Sequence, residues 1–145
     1  MTSISRSVLV PYTAEEMYAL VSDIERYPDF LPWCKSATIL EQQGEALRAR
    51  IELSKGGVHK SFTTRNRLQR NKMIEMRLDE GPFKHLEGFW RFDGFESAGS
   101  RVALDMEFEF AGKIVSMAFG PVFNQIASSL VEAFHKRAVE MYGKR

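Results

Sequence analysis

The chain has 145 residues, 44% of them hydrophobic and 27% charged, with a net charge of +1. That length fits one domain able to bury about two-thirds of its surface, and the ordinary composition excludes disordered, repetitive and collagen-like classes. A lone Cys34 and three scattered histidines, His59, His85 and His135, exclude a disulfide scaffold and a zinc motif.

Ile4, Arg6, Val8 and Val10 alternate with Ser5, Ser7 and Leu9, the period of a strand with one buried face, and Pro11 ends it. Thr13-Ala14-Glu15-Glu16 spells a capping box, so a helix starts near Ala14 with Met17, Leu20, Val21 and Ile24 as its apolar stripe. Pro28 and Pro32 lack amide hydrogens and make Tyr27 to Trp33 a short turn or broken helix.

From there to residue 110 the two-residue period dominates. Leu47, Ala49, Ile51 and Leu53 oppose Arg48, Arg50 and Glu52, and Phe62, Thr64, Asn66 and Leu68 oppose Thr63, Arg65 and Arg67. Ile74, Met76 and Leu78 oppose Glu75 and Arg77, and Val102, Leu104, Met106, Phe108 and Phe110 oppose Ala103, Asp105, Glu107 and Glu109. Gly56-Gly57, Asn71-Lys72, Gly81-Pro82, Asp93-Gly94 and Ala98-Gly99 fall between these runs as tight antiparallel turns. Beyond Gly112 the spacing of Phe119, Phe123, Ile126, Leu130, Phe134 and Met141 becomes helical. Pro121 is expected at the first position of the main helical segment, giving 22 residues to Tyr142, or about 33 Å.

These elements predict one α+β domain over residues 1–145: a strand, short helices, about six further antiparallel strands, and a long helix on the concave side of the sheet. A sheet of about seven strands coils, so a straight helix cannot touch it everywhere and a gap is expected. Phe62, Trp90, Met106, Phe119, Phe123 and Ile126 point into that gap, with Tyr27, Phe30 and Trp33 at its mouth. Each alone reads most simply as core. Together they have the composition of an apolar ligand site, and Asn66 and Thr64 on the same stripe need a ligand atom, a water or a backbone carbonyl as partner.

The charge is bipolar. Residues 48–77 carry nine Lys/Arg against two Glu, and residues 79–109 carry three basic against eight acidic side chains. Solvated sheet faces are the plain reading; the sharper one is a patch of Arg48, Arg50, Arg65 and Arg67 for RNA phosphates or anionic lipid headgroups. The ten-residue stretch from Ile114 to Phe123 is too short for a transmembrane span of about 20 residues, and no leader is visible, so a cytoplasmic protein is expected.

Cys34 has Lys35 but no histidine beside it, and Asp105, Glu107 and Glu109 stand on the wet side of a strand. No phosphate cradle, nucleophile elbow or metal-ligand set is present, so no catalytic residue, cofactor or metal is expected. A cyclase-like enzyme would have only Arg6, Asn66 and His85 as inward candidates.

Three segments carry a resemblance: Tyr27-Pro28-Asp29-Phe30-Leu31-Pro32-Trp33-Cys34, Ser61-Phe62-Thr63-Thr64-Arg65-Asn66, and Gly81-Pro82-Phe83-Lys84-His85-Leu86-Glu87-Gly88-Phe89-Trp90-Arg91-Phe92. They resemble the START-like, helix-grip proteins of the coenzyme Q-binding and ribosome-association toxin group, in the polyketide cyclase and lipid-transport superfamily. The likeness covers essentially the whole chain, including Ala133-Phe134-His135-Lys136-Arg137-Ala138. It implies a helix-grip fold and two distinct activities. One is holding ubiquinone or another isoprenoid lipid as bound ligand, in support of respiratory electron transfer, with transient contact at the inner-membrane surface. The other is binding the large ribosomal subunit and blocking subunit joining; a polyketide cyclase-like enzyme ranks third. The family's aromatic-proline motif falls on Tyr27, Pro28, Phe30, Pro32 and Trp33, with Leu31 among them, as pocket mouth, and Phe62, Trp90, Phe119 and Phe123 are the implied wall.

Overall fold

The structure is a computed structural model describing residues 1–145. Its strands are β1 (Thr2–Val10), β2 (Cys34–Gln43), β3 (Ala46–Lys55), β4 (Val58–Gln69), β5 (Met73–Glu80), β6 (Phe83–Gly94) and β7 (Ser100–Phe110). They form one antiparallel sheet in the order β1-β7-β6-β5-β4-β3-β2. The six strands after the short helices make a meander, and β1 returns along β7 with Thr2 opposite Phe108 and Val10 opposite Ser100. Helix α1 (Ala14–Ser22) and a 3₁₀ turn over Ile24–Asp29 link β1 to β2, and helix α2 (Lys113–Tyr142) lies across the curved sheet. This is the anticipated α+β helix-grip arrangement.

The local rules act where the sequence places them. Thr13 Oγ1 accepts from the Glu16 amide at 3.0 Å and Glu16 Oε1 accepts from the Thr13 amide at 3.0 Å, closing the capping box of α1. Gly56 and Gly57 both have positive φ, 58° and 81°, the two-residue turn that keeps β3 and β4 in register without splaying them.

Two strands were not visible as alternating runs. The second half of β2 is exposed on both faces, so Glu41, Gln42 and Gln43 show no dry side, and the strand turns into β3 at Gly44 (φ 63°). In β6 a register shift between Phe83 and His85 and a glycine at 88 interrupt the period of Phe83, Leu86, Trp90 and Phe92.

The long helix corrects the expectation more substantially. It begins at Lys113 rather than Pro121 and runs for 30 residues, with Pro121 inside it. A helix-interior proline loses one hydrogen bond and its ring crowds the preceding residue's Cβ. Here that residue is Gly120, which has no Cβ, and Pro121 itself is exposed, so the helix continues through it.

Two buried apolar clusters form. The larger, of 22 residues, joins β1, β5, β6 and β7 to α1 and α2; the smaller, of 7, includes Ile24, Leu31, Cys34, Ala37, Leu47, Ala49 and Ile51. A hollow lies where the two fail to meet.

Candidate functional site

The hollow is a cavity of about 90 Å³ between α2 and the sheet, lined by 19 residues of which 16 are hydrophobic. Tyr27, Trp33, Phe62, Asn66, Trp90, Met106, Phe123 and Ile126 all face it. Small residues shape it: Ala49 on β3 and Ala127 on α2 stand at inward positions where larger side chains would fill the space, and at Gly88 on β6 the Met76 methyl lies where a side chain would begin, 2.9 Å from the position of a Cβ. Those three, with Met76, Leu130 and Phe134, were not anticipated. Their signal in the sequence is the small residue inside an otherwise bulky inward stripe.

Three other anticipated residues lie elsewhere. Phe119 is fully buried against Phe83 and Phe110, at ring-centroid distances of 5.8 and 5.5 Å, and anchors α2 beyond the cavity. Phe30 packs edge-on against Phe134 at 5.3 Å under the Arg137 guanidinium at 4.7 Å, and with Leu31 it lines an outer groove instead. Trp33 belongs to both groove and cavity, so it is the partition between them.

The wall carries no acidic, basic, histidine or cysteine side chain. Tyr27 is its one ionisable group, and its hydroxyl donates to the Val21 carbonyl while burial holds the phenol protonated well above the usual tyrosine range. Two polar side chains remain. Thr64 Oγ1 donates to Asn66 Oδ1 at 2.8 Å, and both residues are buried, at 7% and 4% exposure. That bond occupies the amide oxygen and leaves the Asn66 nitrogen, a two-hydrogen donor, without a protein acceptor.

Arg6 and His85 do not join this wall. The Arg6 guanidinium is exposed and donates to the Ser5 carbonyl. His85 stands on the outer face of β6, its Nε2 3.7 Å from Glu107. His85, Glu87 and Glu107 offer donor atoms within 4.8 Å of one another, a grouping invisible in sequence because two strands supply it. Glu87 is already engaged by the Arg77 guanidinium at 3.3 Å. Cys34 is buried, which pushes its thiol up to about 11, and its Sγ donates to the Ser36 carbonyl at 3.5 Å.

The arginines form a row on the outer face, with Arg48 opposite Arg65 and Arg65 opposite Arg77 across β3, β4 and β5. They are not an open cationic patch. Asp79 accepts from Arg48 at 3.1 Å and from Arg65 at 2.9 Å, Glu41 lies 2.6 Å from Arg48, and Glu75 lies 2.8 Å from Arg77. Asp79 and Glu87 come from the acidic stretch, Glu41 from before the basic stretch and Glu75 from within it, and together they neutralise Arg48, Arg65 and Arg77. Arg50 is the looser member, 3.9 Å from Glu52, and with Lys35, His59 and Lys60 it borders a separate cleft. Arg67 makes no ion pair.

A family model described as polyketide cyclase / dehydrase and lipid transport matches residues 10–135. The chain belongs to this family. The ribosome association toxin RatA of Escherichia coli K12 is 46% identical over 145 residues, spanning 100% of this chain and 92% of that protein. A mitochondrial coenzyme Q-binding protein homologue of Xenopus laevis is 28% identical, over 97% of this chain and 59% of that protein. A START superfamily protein from Mycobacterium smegmatis, at 22% identity, superposes with a TM-score of 0.71 over 92% of this chain and 97% of its own, a likeness of fold. The polyketide cyclase and lipid transport family, by its description, spans both catalysis and carriage. In this member the cavity wall has hydrogen-bonding groups but no free acid or base.

Proposed function

We propose that this chain is a non-enzymatic carrier of an isoprenoid quinone, ubiquinone or a close relative, held between α2 and the sheet. The observation that carries this reading is the Asn66 amide, an unpaired donor in an otherwise greasy, uncharged wall. Such a donor suits a carbonyl on a flat apolar ring, and aromatic walls with pliable methionines, Met76 and Met106, suit the ring itself. The likeness to a coenzyme Q-binding protein homologue points the same way.

The magnitude of the cavity adds a condition. Its roughly 90 Å³ is below the ~150 Å³ that admits a benzene molecule in an engineered protein core, so on this reading loading requires side chains to move. Trp33, shared by cavity and groove, is the residue whose swing would open a path.

Both tryptophans, Trp33 and Trp90, border the cavity, so titration with a short-chain ubiquinone is expected to quench their fluorescence saturably. The Asn66→Leu variant is expected to bind about tenfold more weakly, the equivalent of one hydrogen bond. Lipid extraction of the purified protein and mass spectrometry should recover an isoprenoid quinone. No saturable quenching together with no recovered quinone would overturn the reading.

A second reading, binding of the large ribosomal subunit, is favoured by the likeness to the 46%-identical ribosome association toxin and by the cleft bordered by Lys35, Arg50 and Lys60. This cleft is less neutralised than the row of Arg48, Arg65 and Arg77, and it offers Lys35, Arg50 and Lys60 to RNA phosphates. Lys35→Glu combined with Lys60→Glu is expected to lower co-sedimentation with large subunits about tenfold and flatten its salt dependence. Unchanged sedimentation would dismiss the cleft.

A further inference from the structure

Helix α2 is two different helices end to end. Residues 114–131 contain no charged side chain, whereas Glu132, Lys136, Arg137 and Glu140 crowd the remainder. The helix is long and apolar enough, by length and composition, to cross a membrane, and only 28% of its most apolar stretch is buried. Its underside is committed to the fold, because Phe119 and Phe123 are core and Ile126, Ala127 and Leu130 wall the cavity. It therefore cannot leave the sheet to span a bilayer. The first turn of the helix presents Ile114 at 85% and Met117 at 79% exposure, the two most exposed large apolar side chains of the protein.

We propose that this uncharged half of α2 lies on an anionic bilayer, with Ile114 and Met117 sunk into the headgroup and acyl boundary. Charge selects this occupant. Lys113 opens the helix and makes no ion pair, the first turn has no acidic residue, and no carboxylate occurs from residue 111 to 131. Beside the apolar pair lie Lys113 and Lys84, and the carboxylate that shares this surface, Glu109, is 3.6 Å from Lys84, so the surface at the helix start keeps a positive balance that suits phosphate headgroups. A water-facing helix ordinarily carries charges on its outer side, and the second half of α2 does so. Position adds a consequence, because the docking side is on the first turn of α2 and the cavity wall begins at Phe123, about 9 Å further along the same helix. A lipid leaving the bilayer beside Met117 has to pass round the helix and about 9–14 Å along it before it meets Phe123 and Ile126. This inference concerns the surface and holds whichever lipid the cavity takes.

Flotation of the full chain with phosphatidylcholine vesicles, with and without phosphatidylglycerol, tests it. The chain is expected to float with the phosphatidylglycerol vesicles, and Ile114→Glu combined with Met117→Glu to reduce partitioning about tenfold or more. Both positions are exposed, so the double variant should keep its far-ultraviolet spectrum and its quinone quenching in vesicle-free solution. Lys113→Gln should weaken flotation with the anionic vesicles alone. Failure of the wild type to float, or equal flotation by the folded double variant, would overturn the proposal without touching the carrier reading. So would a wild-type dimer in solution that the double variant abolishes, since that assigns the face to a second copy.

Discussion

Replacing Phe123 by alanine is expected to lower the unfolding free energy by about 3–5 kcal/mol, the range for deleting a buried aromatic ring. Phe123 is 4% exposed and stands at the centre of the aromatic cluster that fastens α2 to the sheet. Its ring lies 4.9 Å from Phe83, 4.9 Å from Phe108, 5.5 Å from Phe119, 6.0 Å from Phe110 and 6.1 Å from Phe62, centroid to centroid. Edge-to-face pairs of this kind add about 0.5–1.5 kcal/mol each beyond area burial. Against a total of about 5–15 kcal/mol, such a loss is a large share of stability. Urea unfolding measures it, with an unchanged slope showing that the native state is otherwise intact. A loss below about 1 kcal/mol would mean that α2 is held elsewhere, since only a site able to collapse fully costs so little.

Ala49→Leu is expected to abolish quinone binding while leaving the protein folded. Ala49 is 2% exposed on β3, opposite Thr64 in the register of β3 and β4, and it faces the hollow. The three added carbons enter a space of about 90 Å³ that nothing else in the chain fills. Burying them gains about 0.8 kcal/mol per methylene, and crowding returns a similar amount, so the net change should stay within about 1.5 kcal/mol. Fluorescence titration should show at least about a thirtyfold loss of affinity, because the ring would have to displace a packed leucine as well as the residues that already move. Sedimentation with ribosomal subunits should be unaltered if the two activities use separate surfaces. A folded Ala49→Leu protein that still quenches normally would show that the quinone binds outside the cavity.

The contrast between Phe123 and Phe119 shows what residue type alone conveys. Both follow the helical period and both are buried, but a shift of four residues along α2 puts one on the cavity wall and the other in solid core. Periodicity reports which face is dry and says nothing of what lies against it. The arginine row teaches the same lesson for charge. Arg48, Arg50, Arg65 and Arg67 do point outward, yet Asp79 from β5 pairs with Arg48 and Arg65, and Glu41 from β2 pairs with Arg48, because antiparallel strands bring these carboxylates onto the same face.

Local chemistry was legible in the chain itself: the capping box at Thr13, the turn at Gly56-Gly57, the dry and wet faces of five strands and the helical spacing after Gly112, each depending on neighbours within a few residues. The extent of the hollow, the pairing of Thr64 with Asn66, the passage of α2 through Pro121 and the cancelling of the arginines depend on groups brought together from remote parts of the sequence. Volume and electrostatic partnership are sums over everything within a few ångströms, and only the folded arrangement determines which atoms those are.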